Sequence, residues 1–320
     1  MRNRLRRSEE RGSLVGEIWS AKLASPVAFS PATFWLAVPE VQERFNRKAS
    51  RGAGHWINYC VDKFLGDRVP VERMLSVGCG AGDLERHLAE LGAFQHCDAW
   101  DLAADGVRRA QDAARAAGFP IAYAVRDISR EPPAPAIYDA VWFNSSLHHV
   151  ERLEEVCASV ARALKPGGLL FLNEYIGPSV FAFPERQRQA IRAAFELIPA
   201  RLRRSCASAT PDVLVAPLVP TPAEVRAADP SEAVRSADIP RVLERDFEQL
   251  ERNDAGGTLL QFVLNGIAGN FRSDDPESMR VLAMLLAIED TLMDVQDLQS
   301  DFAIIVARPR ACGPVGARRV

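Results

Sequence analysis

Short apolar runs alternate with amphipathic segments through the middle of the chain. Met74–Gly78, Cys97–Asp101, Ile121–Arg126, Asp139–Asn144 and Leu169–Glu174 are brief, apolar-rich and bounded by Gly, Pro or Asp, a pattern that predicts strands. Between them, Leu84, Leu88 and Leu91 share one helical face, and Asp105–Ala117 reads as a second helix. A third, Glu151–Leu164, carries Leu153, Val156, Val160 and Leu164 on one side, with Lys165-Pro166-Gly167-Gly168 as its stop. Strand–helix alternation of this kind predicts an α/β fold with a doubly wound, mostly parallel sheet. Phe247–Glu251 and Phe302–Ala307 are predicted to raise it to seven strands.

The flanks differ. Residues 1–70 are predicted to form an N-terminal helical cap, and 54–65 to pack as a helix with Trp56, Cys60, Val61, Phe64 and Leu65 on one face. That helix packs on the sheet or, in a sharper reading, closes over the ligand loop. Residues 71–177 form the ligand-binding core, and 178–245 a helical insertion before the last two strands, expected to act as a lid and, with the N-terminal helices, to form the acceptor pocket. Pro184–Leu202 reads as one long helix in that insertion. Thr221-Pro222-Ala223-Glu224 and Asp229-Pro230-Ser231-Glu232 each read as a helix start, with a capping residue, Pro at the first helical position and Glu at the third. Residues 246–310, with helices predicted over Thr258–Ile267 and from Asp275 to about Val295, complete the core, and 311–320 form a tail.

Composition narrows the class. The chain has 320 residues, 48% hydrophobic and 25% charged, with a net charge of −3, which gives no electrostatic reason to expect nucleic acid. Arg2, Arg4, Arg6, Arg7 and Arg11 make a basic N-terminal run with no apolar stretch behind it, read as a solvated arm. No window approaches the roughly 18 apolar residues of a membrane span. Cys60, Cys79, Cys97, Cys157, Cys206 and Cys312 form no CxxC pair and no zinc-like spacing, so free thiols in a reducing cytoplasm are expected and no metal is assigned.

The candidate chemistry starts at Leu75-Ser76-Val77-Gly78-Cys79-Gly80-Ala81-Gly82-Asp83. Three glycines at alternate positions let a ligand lie against the backbone, and the amides of the next helix point at it. A P-loop is excluded because no Gly-Lys-Ser/Thr follows. A dinucleotide site would place glycine where Asp83 stands, which counts against an NAD-dependent oxidoreductase.

With this loop, Asp101 ending the second strand, Asp127 after the third, Asn144-Ser145 after the fourth and Leu164-Lys165-Pro166-Gly167-Gly168 before the fifth, the sequence resembles class I S-adenosylmethionine-dependent methyltransferases, and Asn173-Glu174-Tyr175-Ile176-Gly177-Pro178, Asp229-Pro230-Ser231-Glu232-Ala233 and Gly256-Gly257-Thr258-Leu259-Leu260 resemble a bacterial small-molecule subgroup of them. The resemblance to the class covers residues 71–176. It implies S-adenosylmethionine as cofactor and S-adenosylhomocysteine as product, cradled by Gly78, Cys79, Gly80 and Gly82. Asp101 with Leu102 would meet the ribose, Asp127 with Ile128 the adenine, and Asn144 with Ser145 the methionine part.

Methyl transfer to a hydroxyl needs a positioned acceptor and a proton acceptor. Ser146-Leu147-His148-His149-Val150 follows the fourth strand at the carboxyl-end crevice, so His148 and His149 are candidate bases and Glu174 a residue that orients an imidazole or binds the acceptor. Packing or capping is the plain alternative for either histidine. Arg201, Arg203 and Arg204 read as a solvated helix end, or as contacts for an acidic acceptor. The expected activity is methylation of a small molecule, such as a sugar or natural-product hydroxyl, by a monomer or homodimer without nucleic acid or membrane. A fold that keeps the cofactor only structurally, for binding or cyclisation, is the alternative.

Overall fold

The computed structural model describes residues 2–24, 30–207 and 212–310. The basic N-terminal side chains, Cys312 and the expected tail lie outside the described residues. Helix α1 (Arg2–Ala24) comes first, followed by α2 (Pro39–Ala49) and α3 (Trp56–Cys60), the last extended by a wider turn over Val61–Leu65. Then β1 (Val71–Val77), α4 (Asp83–Glu90), β2 (Phe94–Asp101), α5 (Ala104–Ala117), β3 (Ile121–Val125), β4 (Tyr138–Asn144), α6 (Leu153–Ala163) and β5 (Leu164–Tyr175) alternate. Helices α7 (Glu185–Glu196), α8 (Pro222–Ala228) and α9 (Ile239–Asp246) precede β6 (Phe247–Gly256), α10 (Leu260–Val263), α11 (Pro276–Asp294) and β7 (Phe302–Pro309).

The seven strands form one sheet in the order β3-β2-β1-β4-β5-β7-β6, with β7 antiparallel to both neighbours. The order reverses between β1 and β4, so the carboxyl ends of those strands open a crevice. Successive side chains of a strand point to opposite faces, and both faces are buried. Met74, Trp142, Phe171 and Ile304 face one layer, while Leu75, Val141, Phe143, Leu170 and Ile305 face the other. Trp142 and Phe171 are register partners and stack with centroids 4.1 Å apart.

Several sequence expectations need correction. Trp56–Leu65 is helical and packs on the sheet as expected, with Trp56 6.2 Å from Trp142, but the sharper reading fails because this helix does not line the ligand crevice. Lys165-Pro166-Gly167-Gly168 lies inside β5, not in a separate stop, because Leu164 already pairs with Tyr138 and the register slips before Leu169. Pro184–Leu202 breaks after Glu196, ahead of Pro199. Of the two Pro-marked starts, Thr221 makes a full capping box with Glu224, whereas Asp229 turns its carboxylate onto Ser231 and the chain forms a tight turn. Helix α10 is far shorter than Thr258–Ile267. Among the described residues no helix is long and apolar enough to cross a membrane.

Candidate active site

A cavity of about 510 Å³ opens at the crevice, within the usual range for a small-ligand site. Its floor is the loop after β1. Gly78, Gly80 and Gly82 all take positive φ, at 75°, 52° and 84°. At Gly78 a Cβ would come within 2.2 Å of the Ser146 side chain, so the loop and the turn after β4 close only around glycine. Asp101 stitches the loop to β2: one oxygen accepts from the Gly80 amide at 2.8 Å and the other from the Ala103 amide at 2.7 Å. The carboxylate lines the cavity, and each oxygen keeps a further lone pair beyond these bonds.

Cys79, Leu102, Asp127, Ile128, Asn144 and Ser145 also line the cavity. Asp127 accepts from the Ser129 amide at 2.8 Å, and Asn144 from the Asn173 side chain at 2.8 Å. Gly82 sits just below the lining, where a Cβ would meet Tyr123 Oη at 2.5 Å. Burial pushes the Cys79 thiol well up, so this cysteine is a small apolar filler rather than a nucleophile.

Three features were not legible in the motifs. Glu85, from α4, reaches back under the loop to bond Ser76, is fully buried and lines the cavity. Burial raises its pKa to about 7, since the Ser76 hydrogen bond only partly offsets the desolvation. Helix α1 forms a wall: Gly12, Val15, Trp19 and Leu23 face the cavity, whereas from 178–245 only Ser231 does. Gly16 lets α1 cross tightly, because a Cβ there would lie 2.6 Å from the Leu102 carbonyl oxygen. The periodicity of residues 1–24 shows none of this, because α1 is placed by a contact distant in sequence.

The third feature is the network around the two histidines. Glu174, fully buried, accepts from the Ser146 and Leu147 amides at 2.8 and 2.6 Å and meets His148 Nδ1 at 2.7 Å. Its carboxylate anchors the turn after β4 and orients His148; neither Glu174 nor His148 lines the cavity, whereas His149 does. His149 Nδ1 lies 3.1 Å from Ser231 Oγ, and Ser231 donates its one hydroxyl proton to Asp229 at 2.6 Å. The serine oxygen therefore accepts from His149 Nδ1–H, which leaves Nε2 with a bare lone pair. That Nε2 is buried without a hydrogen-bond partner among the described residues. Burial, then the charge of His148, holds the His149 pKa well below its ordinary value. For His148, burial lowers the pKa, but Glu174 and the other carboxylates more than offset it.

Lys22 of α1 pairs with Asp229 at 2.9 Å, and Trp19 stands edge-on to His149 at 4.9 Å, so α1 closes the network from above. Arg201 is bound instead to Asp275 and Glu277 at the surface, away from the cavity, and Arg203 lies over Phe195.

Residues 75–172 match a family model described as a methyltransferase domain. A ubiquinone biosynthesis O-methyltransferase of Xylella fastidiosa (strain 9a5c) is 36% identical over 124 residues, 37% of this chain and 49% of that protein. An uncharacterized methyltransferase of Mycobacterium tuberculosis (strain H37Rv) is 34% identical over 125 residues, 38% of this chain and 61% of that protein. The chain thus spans about half the length of the curated relatives it matches. Among solved structures, the [4+2]-cyclase SpnF aligns with a TM-score of 0.52 at 17% identity, covering 94% of this chain and 97% of that one. Geranyl diphosphate C-methyltransferase from Streptomyces coelicolor A3(2) gives 0.52 at 15% identity, covering 94% and 98%. At such identities these two likenesses speak for the fold alone. The matched domain falls on the strands and loop that floor the cavity, so residues 75–172 are similar to a methyltransferase domain and the fold around them is that of the two structural likenesses.

Proposed function

We propose that this protein methylates a hydroxyl of a small-molecule acceptor, of sugar or natural-product type, with the His148–His149 pair as the place where the hydroxyl proton is lost. The cofactor, S-adenosylmethionine, supplies a sulfonium-activated methyl group. The residues present suit it: Gly80 leaves open space above the loop, since a Cβ there would meet nothing within 4 Å, and Asp101 offers spare acceptor lone pairs at the edge of the cavity. Gly78, Cys79 and Gly80 would hold the methionine portion with Asn144 and Ser145. Asp101 and Leu102 would hold the ribose, and Asp127 and Ile128 the adenine. The protein then contributes position and proton handling. Trp19, Val15 and Leu23 exclude water from above.

One observation carries the acceptor chemistry: the imidazole of His149 lines the cavity, is fixed in its tautomer, and has a buried Nε2 without a partner among the described residues. Such a group suits removal of a proton. The matched O-methyltransferase relative supports oxygen as the methylated atom, while the two structural likenesses, a cyclase and a C-methyltransferase, leave the reaction open. Calorimetry with S-adenosylhomocysteine, followed by mass spectrometry on a panel of hydroxylated sugars and phenols, tests the reading. Binding with a gain of one methyl is expected. Absence of binding to either cofactor form overturns it, and a bound cofactor that is never demethylated across the panel turns the site to a structural use of the cofactor.

A further inference from the structure

His148, His149 and Glu232 each offer one ligand atom, all within 4.8 Å of one another. His148 Nε2 lies 3.6 Å from Glu232 Oε1. Both imidazoles are held from behind by Nδ1. Glu174 can only accept, so His148 Nδ1 donates to it at 2.7 Å and directs Nε2 at Glu232. Asp229 and Ser231 do the same for His149 through the 2.6 Å and 3.1 Å contacts. A histidine whose rear nitrogen is tied to a carboxylate, directly or through a hydroxyl, is the outer-shell arrangement of metal-ligating histidines. The buried, unpartnered His149 Nε2 independently points to a missing ligand.

We propose that His148 Nε2, His149 Nε2 and the Glu232 carboxylate bind a divalent transition-metal ion. Two nitrogens and one carboxylate suit zinc or cobalt(II). Magnesium and calcium take oxygen shells. Asp229 is not a fourth ligand, because its charge is engaged by Lys22 at 2.9 Å and its other contacts go to Ser231. Lys22 lies 3.9 Å from Glu232, outside a hydrogen bond, and leaves that carboxylate available. Three protein ligands leave a position open for an acceptor oxygen. The inference rests on the reading that the acceptor hydroxyl meets this pair. A bound cation would lower the hydroxyl's pKa so that solvent water could take the proton, whereas in the ion-free site the His149 lone pair would take it.

The test uses the full chain, stripped with a chelator and titrated with cobalt(II), read by visible d–d absorption and calorimetry. Binding of S-adenosylhomocysteine is measured on the same samples. The expected result is one cobalt ion per chain, weakened at least tenfold in Glu232→Gln and in His149→Ala, and unchanged in the surface control Asp275→Asn. Retained S-adenosylhomocysteine binding shows that each variant is folded. If His149→Ala fails that check, Glu232→Gln, at a half-exposed position of nearly unchanged shape, decides. Wild-type protein that binds S-adenosylhomocysteine but no cobalt overturns the metal site and leaves the methyltransferase reading standing. Cobalt binding that survives both variants places the ion elsewhere and also overturns the proposal. Cobalt binding without S-adenosylhomocysteine binding supports the metal site and removes the methyltransferase reading.

Discussion

The two ends of the cavity are built in different ways. At the cofactor end, each lining group follows directly from a parallel strand: the glycine loop from β1, Asp101 from β2, Asp127 after β3, Asn144 from β4. Hydrogen bonds there run to backbone amides of the next few residues or the adjacent strand, as with Asp101 to Gly80 and Ala103. At the acceptor end, the groups come from parts far apart in sequence. His149 is held by Ser231 and edged by Trp19, and Asp229 is held by Lys22, while the earlier part of α1 runs over the cofactor end at Gly12 and Gly16. The first end is a local motif repeated along a sheet edge. The second exists only when α1, the turn after β4 and the turn at 229–232 are docked together. A local scaffold can keep cofactor geometry constant while the distant parts vary, and this division lets one fold serve many acceptors.

The largest test of that contrast is His149→Ala. Loss of the proton-handling group should cut kcat by about 100- to 10,000-fold, with S-adenosylhomocysteine affinity changed less than about twofold. A parallel loss of cofactor affinity, measured by calorimetry, would merge the two ends and defeat the comparison. Gly78→Ala should do the reverse. The added Cβ meets Ser146 at a positive φ of 75°, which costs about 1–3 kcal/mol of backbone strain before any rearrangement. Cofactor affinity should fall by about tenfold or more; an unchanged dissociation constant would show that the loop is not the seat.

Glu85 sharpens the picture of the cofactor end through pH. Its folded pKa, about 7 because of burial, lies above the unfolded value near 4.5. The folded state therefore holds the proton more tightly, and the associated stability is full below about pH 4.5 and lost as pH rises through 7, by about 3 kcal/mol. Urea melts of wild type and Glu85→Gln between pH 4.5 and 8 should show a steeper decline in the wild type. Equal slopes would mean that the carboxyl is not buried in this way. Smallest is Lys22→Ala, which breaks a half-exposed pair with buried Asp229 and should cost about 1 kcal/mol after solvent screening. It should lower kcat/KM several-fold and the melting temperature by only about 2 °C. A full loss of S-adenosylhomocysteine binding would instead tie Lys22, and not only Gly12 and Gly16, to the cofactor end.

The sheet was legible because period-2 and period-3.6 patterns are local. Leu84 and Leu88, or Val156 and Val160, declare a buried face whatever lies against it, and both lie in helices at the expected places. The loop glycines, Asp101, Asp127 and His149 were legible because strand ends in a doubly wound sheet converge on one crevice. Asp229-Pro230-Ser231-Glu232 was misread as a helix start, since the same Asp and Ser that cap helices also make tight turns. Only the neighbouring His149 and Lys22 give that turn its purpose. Glu174 read as orienting an imidazole or binding the acceptor, and it does the first, to His148; its full burial against three chain amides was invisible until β5 lay beside the turn after β4.

By itself, the sequence determined the strand–helix order, the glycine loop and the acidic groups at the strand ends, because propensity and periodicity act over a few residues. Tertiary structure alone decided which residues of α1 wall the cavity, that Glu85 lies beneath the loop, and that His148, His149 and Glu232 share one cluster. Those contacts join residues separated by most of the chain. Their energy comes from burying and satisfying groups against partners that no local pattern names.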